Sequence, residues 1–145
     1  MNQTFTAKSS IVINAPVDKV WEALTNPKIV KQWLFGTEML VSAWKIGGSI
    51  TYKGEWQGKP YEDKGKILEI VPHKKFSSTY WSSFSGLPDN PENYQKVTYE
   101  LENEGIATKI TITQEGNKTE EAAKHSETNW KMTLESMKKL LEKPM

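Results

Sequence analysis

With 145 residues, no cysteine and a formal net charge of +1, the chain is long enough to bury about two thirds of its unfolded surface as one domain, residues 1–145, without disulfide staples. That charge gives no field to gather nucleic acid or an anionic membrane surface, and no apolar run approaches the roughly 20 residues needed for membrane insertion. All 19 basic residues are lysine, so the bidentate arginine fork that grips carboxylates and phosphates is missing.

The first segment, Met1 to Lys8, has neither the charged start nor the apolar stretch of a secretion signal, and a thiol-free chain fits a cytoplasmic location. Between Phe5 and Ile13 the apolar residues Phe5, Ala7, Ile11 and Ile13 recur at odd positions, the period of a half-buried strand. Ala15-Pro16 ends it. Val17, Val20, Trp21 and Leu24 then fall on one face of a short helix. Asn26-Pro27 starts a second helix, with asparagine as N-cap, proline in the first turn, and Ile29, Val30 and Trp33 as its inner stripe.

From Thr37 the helical period disappears, and Gly47-Gly48 marks a reversal between two strands. Ile50, Tyr52 and Trp56 alternate with polar residues, and Gln57 to Pro60 reads as a hairpin turn. Strands are expected over Gly65 to Pro72, with Leu68 and Ile70 inward and Glu69 outward, and over Phe76 to Trp81. A loop rich in Ser, Gly, Pro, Asp and Asn runs to about Asn93, the sort of irregular segment that borders a site. Val97, Tyr99 and Leu101 alternate with Thr98, Glu100 and Glu102. After the turn at Asn103 to Gly105, Ile110 and Ile112 alternate in a paired strand.

A long helix closes the chain from about Glu120 to Glu142, with Trp130, Leu134, Met137 and Leu141 on its inner face. At 1.5 Å per residue it is about 35 Å long and crosses a whole small sheet. Glu120 and Glu121 near its start and Lys138, Lys139 and Lys143 near its end suit the helix dipole. Ala122, Ala123, Ser126 and Glu127 on its first half are small or polar, which leaves room above the sheet.

Five signals in order, Ala15-Pro16-x-x-x-Val20-Trp21-x-Ala23-Leu24-Thr25-x-Pro27, then Trp33, Gly47-Gly48, Gly65-x-Ile67-Leu68-Glu69-Ile70-x-Pro72 and Trp130, resemble the START-related SRPBCC superfamily across essentially the whole chain. Within it the chain is similar to the branch called activator of heat-shock protein 90 ATPase homologue, in its C-terminal domain. The resemblance implies an α+β helix-grip fold: a curved antiparallel sheet of six to seven strands around a long C-terminal helix, with two short helices after the first strand. Relatives carry hydrophobic molecules between sheet and helix; some are enzymes, and a few bind the chaperone.

Chemistry is sparse. A metal centre needs several converging ligands, whereas the two histidines, His73 and His125, read as surface residues. The serines lie in polar turns with no base in the pattern, so no nucleophilic triad is visible. There is no glycine-rich phosphate loop, and no cofactor is implied. Glu69, Glu100, Glu102 and Glu104 fall on outward parities.

What remains is the wall of the implied cavity. The apolar parities give Ile50, Tyr52, Trp56, Leu68, Ile70, Ser78, Tyr80, Val97, Tyr99, Ile110, Ile112 and Gln114, capped by Trp130 and Leu134. Aliphatic bulk with phenol hydroxyls, one amide and an indole is the lining of a pocket for a flat, mostly apolar ligand with a few hydroxyls. The expectation is a monomeric, non-enzymatic carrier or sensor of a small hydrophobic ligand. A chaperone-associated module is the first alternative, and a polyketide-cyclase-like enzyme, which requires an acid or base inside the cavity, is the second.

Overall fold

The computed structural model describes residues 4–142, so Met1 to Gln3 and Lys143 to Met145 lie outside the described residues. Strand β1 (Phe5–Ile13) leads into helices α1 (Val17–Thr25) and α2 (Pro27–Trp33), and six further strands follow: β2 (Glu38–Val41), β3 (Ser49–Trp56), β4 (Lys59–Val71), β5 (Lys75–Ser82), β6 (Gln95–Glu104) and β7 (Ala107–Asn117). Helix α3 (Glu120–Leu141) ends the described chain. The strands form one sheet in the order β1-β7-β6-β5-β4-β3-β2, every neighbouring pair antiparallel. Sequence neighbours pair down the whole sheet except at one place. β1 and β2 stand at opposite edges, and α1 and α2 carry the chain from one to the other.

The local signals act as their chemistry dictates. Ala7 and Ile13 are buried, the odd parity of β1. The Asn26 side chain accepts from the Lys28 backbone N–H at 3.0 Å and so caps α2, with Pro27 at its first position. Val20, Leu24, Val30 and Trp33 turn inward and meet Ile13, Met39, Ile110, Ile112, Leu134 and Met137 in one core. The Trp33 indole N–H donates to the Ala23 carbonyl at 2.7 Å, which fixes α2 against α1.

Two stretches differ from the alternation pattern. The β3–β4 turn is only Gln57-Gly58, both at positive φ (52° and 80°), as a two-residue hairpin requires. Strand β4 therefore starts at Lys59 rather than Gly65. Its first half carries polar residues on both faces, and that hid it from an apolar-alternation reading.

The second difference is a bulge. Ile67 pairs with Ser78 but Glu69 with Ser77, so one extra residue sits between them. Ile67 is 1% exposed and Leu68 42%. Leu68 thus points outward, correcting its expected place in the wall, and beyond the bulge Ile70 returns to the core side. Glu69 faces out and pairs with Lys75 at 3.1 Å. Gly65, on the inward parity, lies so close to β5 that an added Cβ would stand 1.7 Å from the Thr79 carbonyl oxygen.

Helix α3 packs chiefly along β1 and then β7. It is tied there by the Lys8 N–H to Glu127 (3.2 Å), the Asn14 N–H to Glu142 (2.7 Å) and the Lys138 ammonium to the Val12 carbonyl (3.0 Å). Because the helix covers one side of the sheet, the inner face of β3 to β6 is left partly uncovered.

Candidate functional site

The uncovered face is the floor of a cavity of about 910 Å³. Of the residues expected in the wall, Ile50, Tyr52, Trp56, Ser78, Tyr80, Val97, Tyr99, Gln114 and Trp130 line it. Ile110, Ile112 and Leu134 do not. Each is at most 1% exposed and sealed in the core where α3 lies closest to β7. Ile70 also packs into the core away from the cavity, and Leu68 is outside it for the reason given above. Alternation alone separates the two faces of a strand; it says nothing about which part of the inner face the helix covers.

An aromatic series runs along the floor. Phe76 stacks on Tyr99 (ring centroids 4.5 Å apart), and Tyr99 meets the edge of Trp130 at 6.0 Å. The first half of α3 supplies the roof with Ala122, His125, Ser126 and Asn129, so the small-residue half of the helix does leave space. His125 and His73 are both exposed.

The loop after β5 forms the near wall through Phe84, Leu87, Asn93 and Tyr94. It is held by Lys64, which pairs with Asp89 at 2.6 Å and sits 5.5 Å over the Trp81 ring. The Tyr94 hydroxyl also donates to Asp89, at 2.5 Å. Phe35, Trp56, Phe84, Leu87 and Met132 are all large, apolar and at least 36% exposed, and all five line this cavity.

Polar groups gather at two places. On the β7 side Trp130 Nε1 donates to Gln114 Oε1 (2.8 Å), and Gln114 Nε2 donates to Gln95 Oε1 (2.7 Å). Gln95 Nε2 in turn reaches Asn117 Oδ1 (3.3 Å), which also accepts from Ser126 (3.2 Å). This network ties α3 to the sheet and satisfies itself.

The other place is Asp63, absent from the expected wall. Its cross-strand partners are Tyr52 on β3 and Ser82 on β5. Tyr80 donates its hydroxyl to Asp63 Oδ2 at 3.2 Å, while Oδ1 is buried with no hydrogen-bond partner among the described residues. Burial raises the Asp63 carboxyl above the ordinary aspartate range, and hydrogen bonds from Ser82 and Tyr80 offset this only in part. Burial likewise pushes the phenols of Tyr52, Tyr80 and Tyr99 up, with the Asp63 charge adding to each. The sequence did hold a signal for Asp63: counting back by twos from Ile67 through Gly65 reaches it on the inward parity.

No group of metal-ligating side chains converges among the described residues. No helix among them is long and apolar enough to cross a membrane.

The model of the family described as activator of Hsp90 ATPase homolog 1-like protein matches residues 14–142. The chain belongs to this family. The solution structure of ChR145 from Cytophaga hutchinsonii is 46% identical, with 95% of this chain and 94% of that chain covered and a TM-score of 0.80. The Aha1 dimer from Colwellia psychrerythraea is 23% identical over 96% of this chain and 97% of its own, TM-score 0.71. CalU16 from Micromonospora echinospora is 21% identical over 97% and 87%, TM-score 0.70. These last two share the fold. No curated protein matches the chain. The AHSA1 and SRPBCC assignment accounts for the helix-grip arrangement seen here, with α3 laid across a curved antiparallel sheet.

Proposed function

We propose that the chain is a cytoplasmic carrier or sensor that binds a small, flat, mostly apolar ligand with a few hydroxyl groups between β3–β6 and α3. The observation that carries this reading is the cavity of about 910 Å³ whose floor is aromatic and aliphatic and whose mouth is ringed by exposed apolar side chains. Such side chains offer an apolar molecule surface to bind at the edge of the cavity, and the few polar groups inside orient it. The test is titration with a broad panel of lipids and polyphenols, followed by tryptophan fluorescence and NMR shifts. Binding should perturb Tyr52, Tyr99 and Trp130; a panel that leaves all three unmoved counts against the reading.

One observation favours a second reading. A buried carboxyl with an unspent oxygen, inside the cavity and beside three phenols, is the acid or base that a cyclase or dehydratase requires. Turnover of a poly-β-keto substrate by the wild type, lost in Asp63→Asn, is the result that would replace the carrier with an enzyme.

A further inference from the structure

Resting on the cavity reading above, we propose that Asp63, with Tyr52 and Tyr80, is a selectivity site: it takes the hydroxyl of a neutral phenol or alcohol and turns away ligands that end in a carboxylate or phosphate. Asp63 Oδ1 is a buried acceptor in the cavity that none of the described residues uses. On the β7 side of the cavity Gln114, Gln95, Asn117, Ser126 and Trp130 spend hydrogen bonds on one another.

Apart from accepting from the Tyr80 hydroxyl, this carboxyl leaves one oxygen unspent. A buried acceptor without a partner destabilises, and among the described residues no lysine pairs with it. Lys64, its chain neighbour, is turned to Asp89 instead. A residue that costs stability and faces a cavity is placed there for what enters.

The chemistry narrows the entrant. A hydroxyl is donor and acceptor at once, so it donates to Asp63 Oδ1 and accepts from a tyrosine hydroxyl. Tyr52 is across the ladder from Asp63. Beside Asp63 an anionic ligand meets a carboxyl and three phenols; the chain has no arginine, and the two lysines that line the cavity, Lys64 and Lys118, are turned to Asp89 and Asn93. A ligand without a donor leaves Oδ1 unpaired, and sites of this kind reject such analogues strongly.

The experiment uses the full chain and four planar probes of similar size: naphthalene, 2-naphthol, 2-naphthoate and 2-naphthylmethylammonium. Affinities are measured at neutral pH for the wild type, Asp63→Asn and Asp63→Leu, each checked for native circular dichroism. The wild type should bind 2-naphthol roughly tenfold or more tighter than naphthalene, with 2-naphthoate weakest. Asp63→Leu should bind naphthalene and 2-naphthol alike, and Asp63→Asn should close the gap between 2-naphthol and 2-naphthoate by roughly tenfold. If one variant does not fold, the other supplies the comparison, and the wild-type ranking stands independently of both.

Equal binding of 2-naphthol and 2-naphthoate, or ratios untouched by both substitutions, overturns the selectivity while leaving the cavity reading intact. Tighter binding of the ammonium probe than of 2-naphthol also overturns it, in favour of a cation reader. Failure of all four probes to bind overturns the cavity reading and the selectivity together.

Discussion

Replacing Asp63 by asparagine should make the ligand-free protein more stable at neutral pH. The substitution keeps the side-chain shape and an acceptor for the Tyr80 hydroxyl, now 3.2 Å from Oδ2, but removes an ionisable group from a buried position. Asparagine still leaves one polar atom unpaired where Oδ1 stands, so the gain comes from the charge: a neutral amide costs less to bury than an ionised carboxyl, by on the order of 1 kcal/mol at a partly buried site. A gain of about 1 kcal/mol corresponds to a rise in Tm of about 3 °C for a chain of this size.

The pH dependence fixes the cause. Burial raises the folded-state pKa of Asp63, so the native state holds the proton more tightly than the unfolded chain does. Its contribution to stability is fully present below the unfolded pKa, near 3.9, and is lost as the pH rises through the folded value. The difference between Asp63→Asn and wild type should therefore be small in strong acid, grow as the pH climbs above about 4, and level off above the folded pKa. Differential scanning calorimetry from acid to neutral pH measures it. A variant that is less stable at neutral pH, or a difference that does not change with pH, refutes the argument that Asp63 is held there against the interest of the fold.

The bulge in β4 makes a sharp pair: Ile67→Ala should cost about 2–5 kcal/mol in urea unfolding, and Leu68→Ala, at an exposed site, about 0.5 kcal/mol or less. The reverse order would restore the unbulged register. Tyr99→Trp should weaken binding of an aromatic ligand about tenfold, because the larger ring must take cavity space. Since Tyr99 is 7% exposed and stacked on Phe76, it should also cost about 1–3 kcal/mol of stability. Unchanged affinity, measured by titration, places the ligand elsewhere.

Much of the architecture is written locally, and so was legible in the chain. The Asn26-Pro27 cap, the odd parity of β1, the Val97 to Ile112 hairpin and the inner stripe of α3 each follow from contacts within a few residues. The loop after β5 was legible for a similar reason: its composition supports no regular ladder, and it now borders the cavity. Part of the lining was equally accessible, because Tyr52, Tyr80, Val97, Tyr99 and Gln114 stand on inward parities that their own strands define.

Three decisions belonged to the tertiary structure. A bulge shifts parity by one residue, and whether a strand bulges depends on its partner, so Ile67 rather than Leu68 faces in. The path of α3 over β1 and β7 decided that Ile110, Ile112 and Leu134 are core while the face of β3 to β6 stays open. Asp63 is the third. In the sequence it sits among Glu62, Lys64 and Lys66, where no apolar alternation marks a strand, and the pairing of β4 with β3 and β5 sets it beside Tyr52 and Tyr80. Amino-acid order encodes the faces of each element by short-range periodicity; which faces meet, and where they leave a gap, depends on packing between residues far apart in the chain.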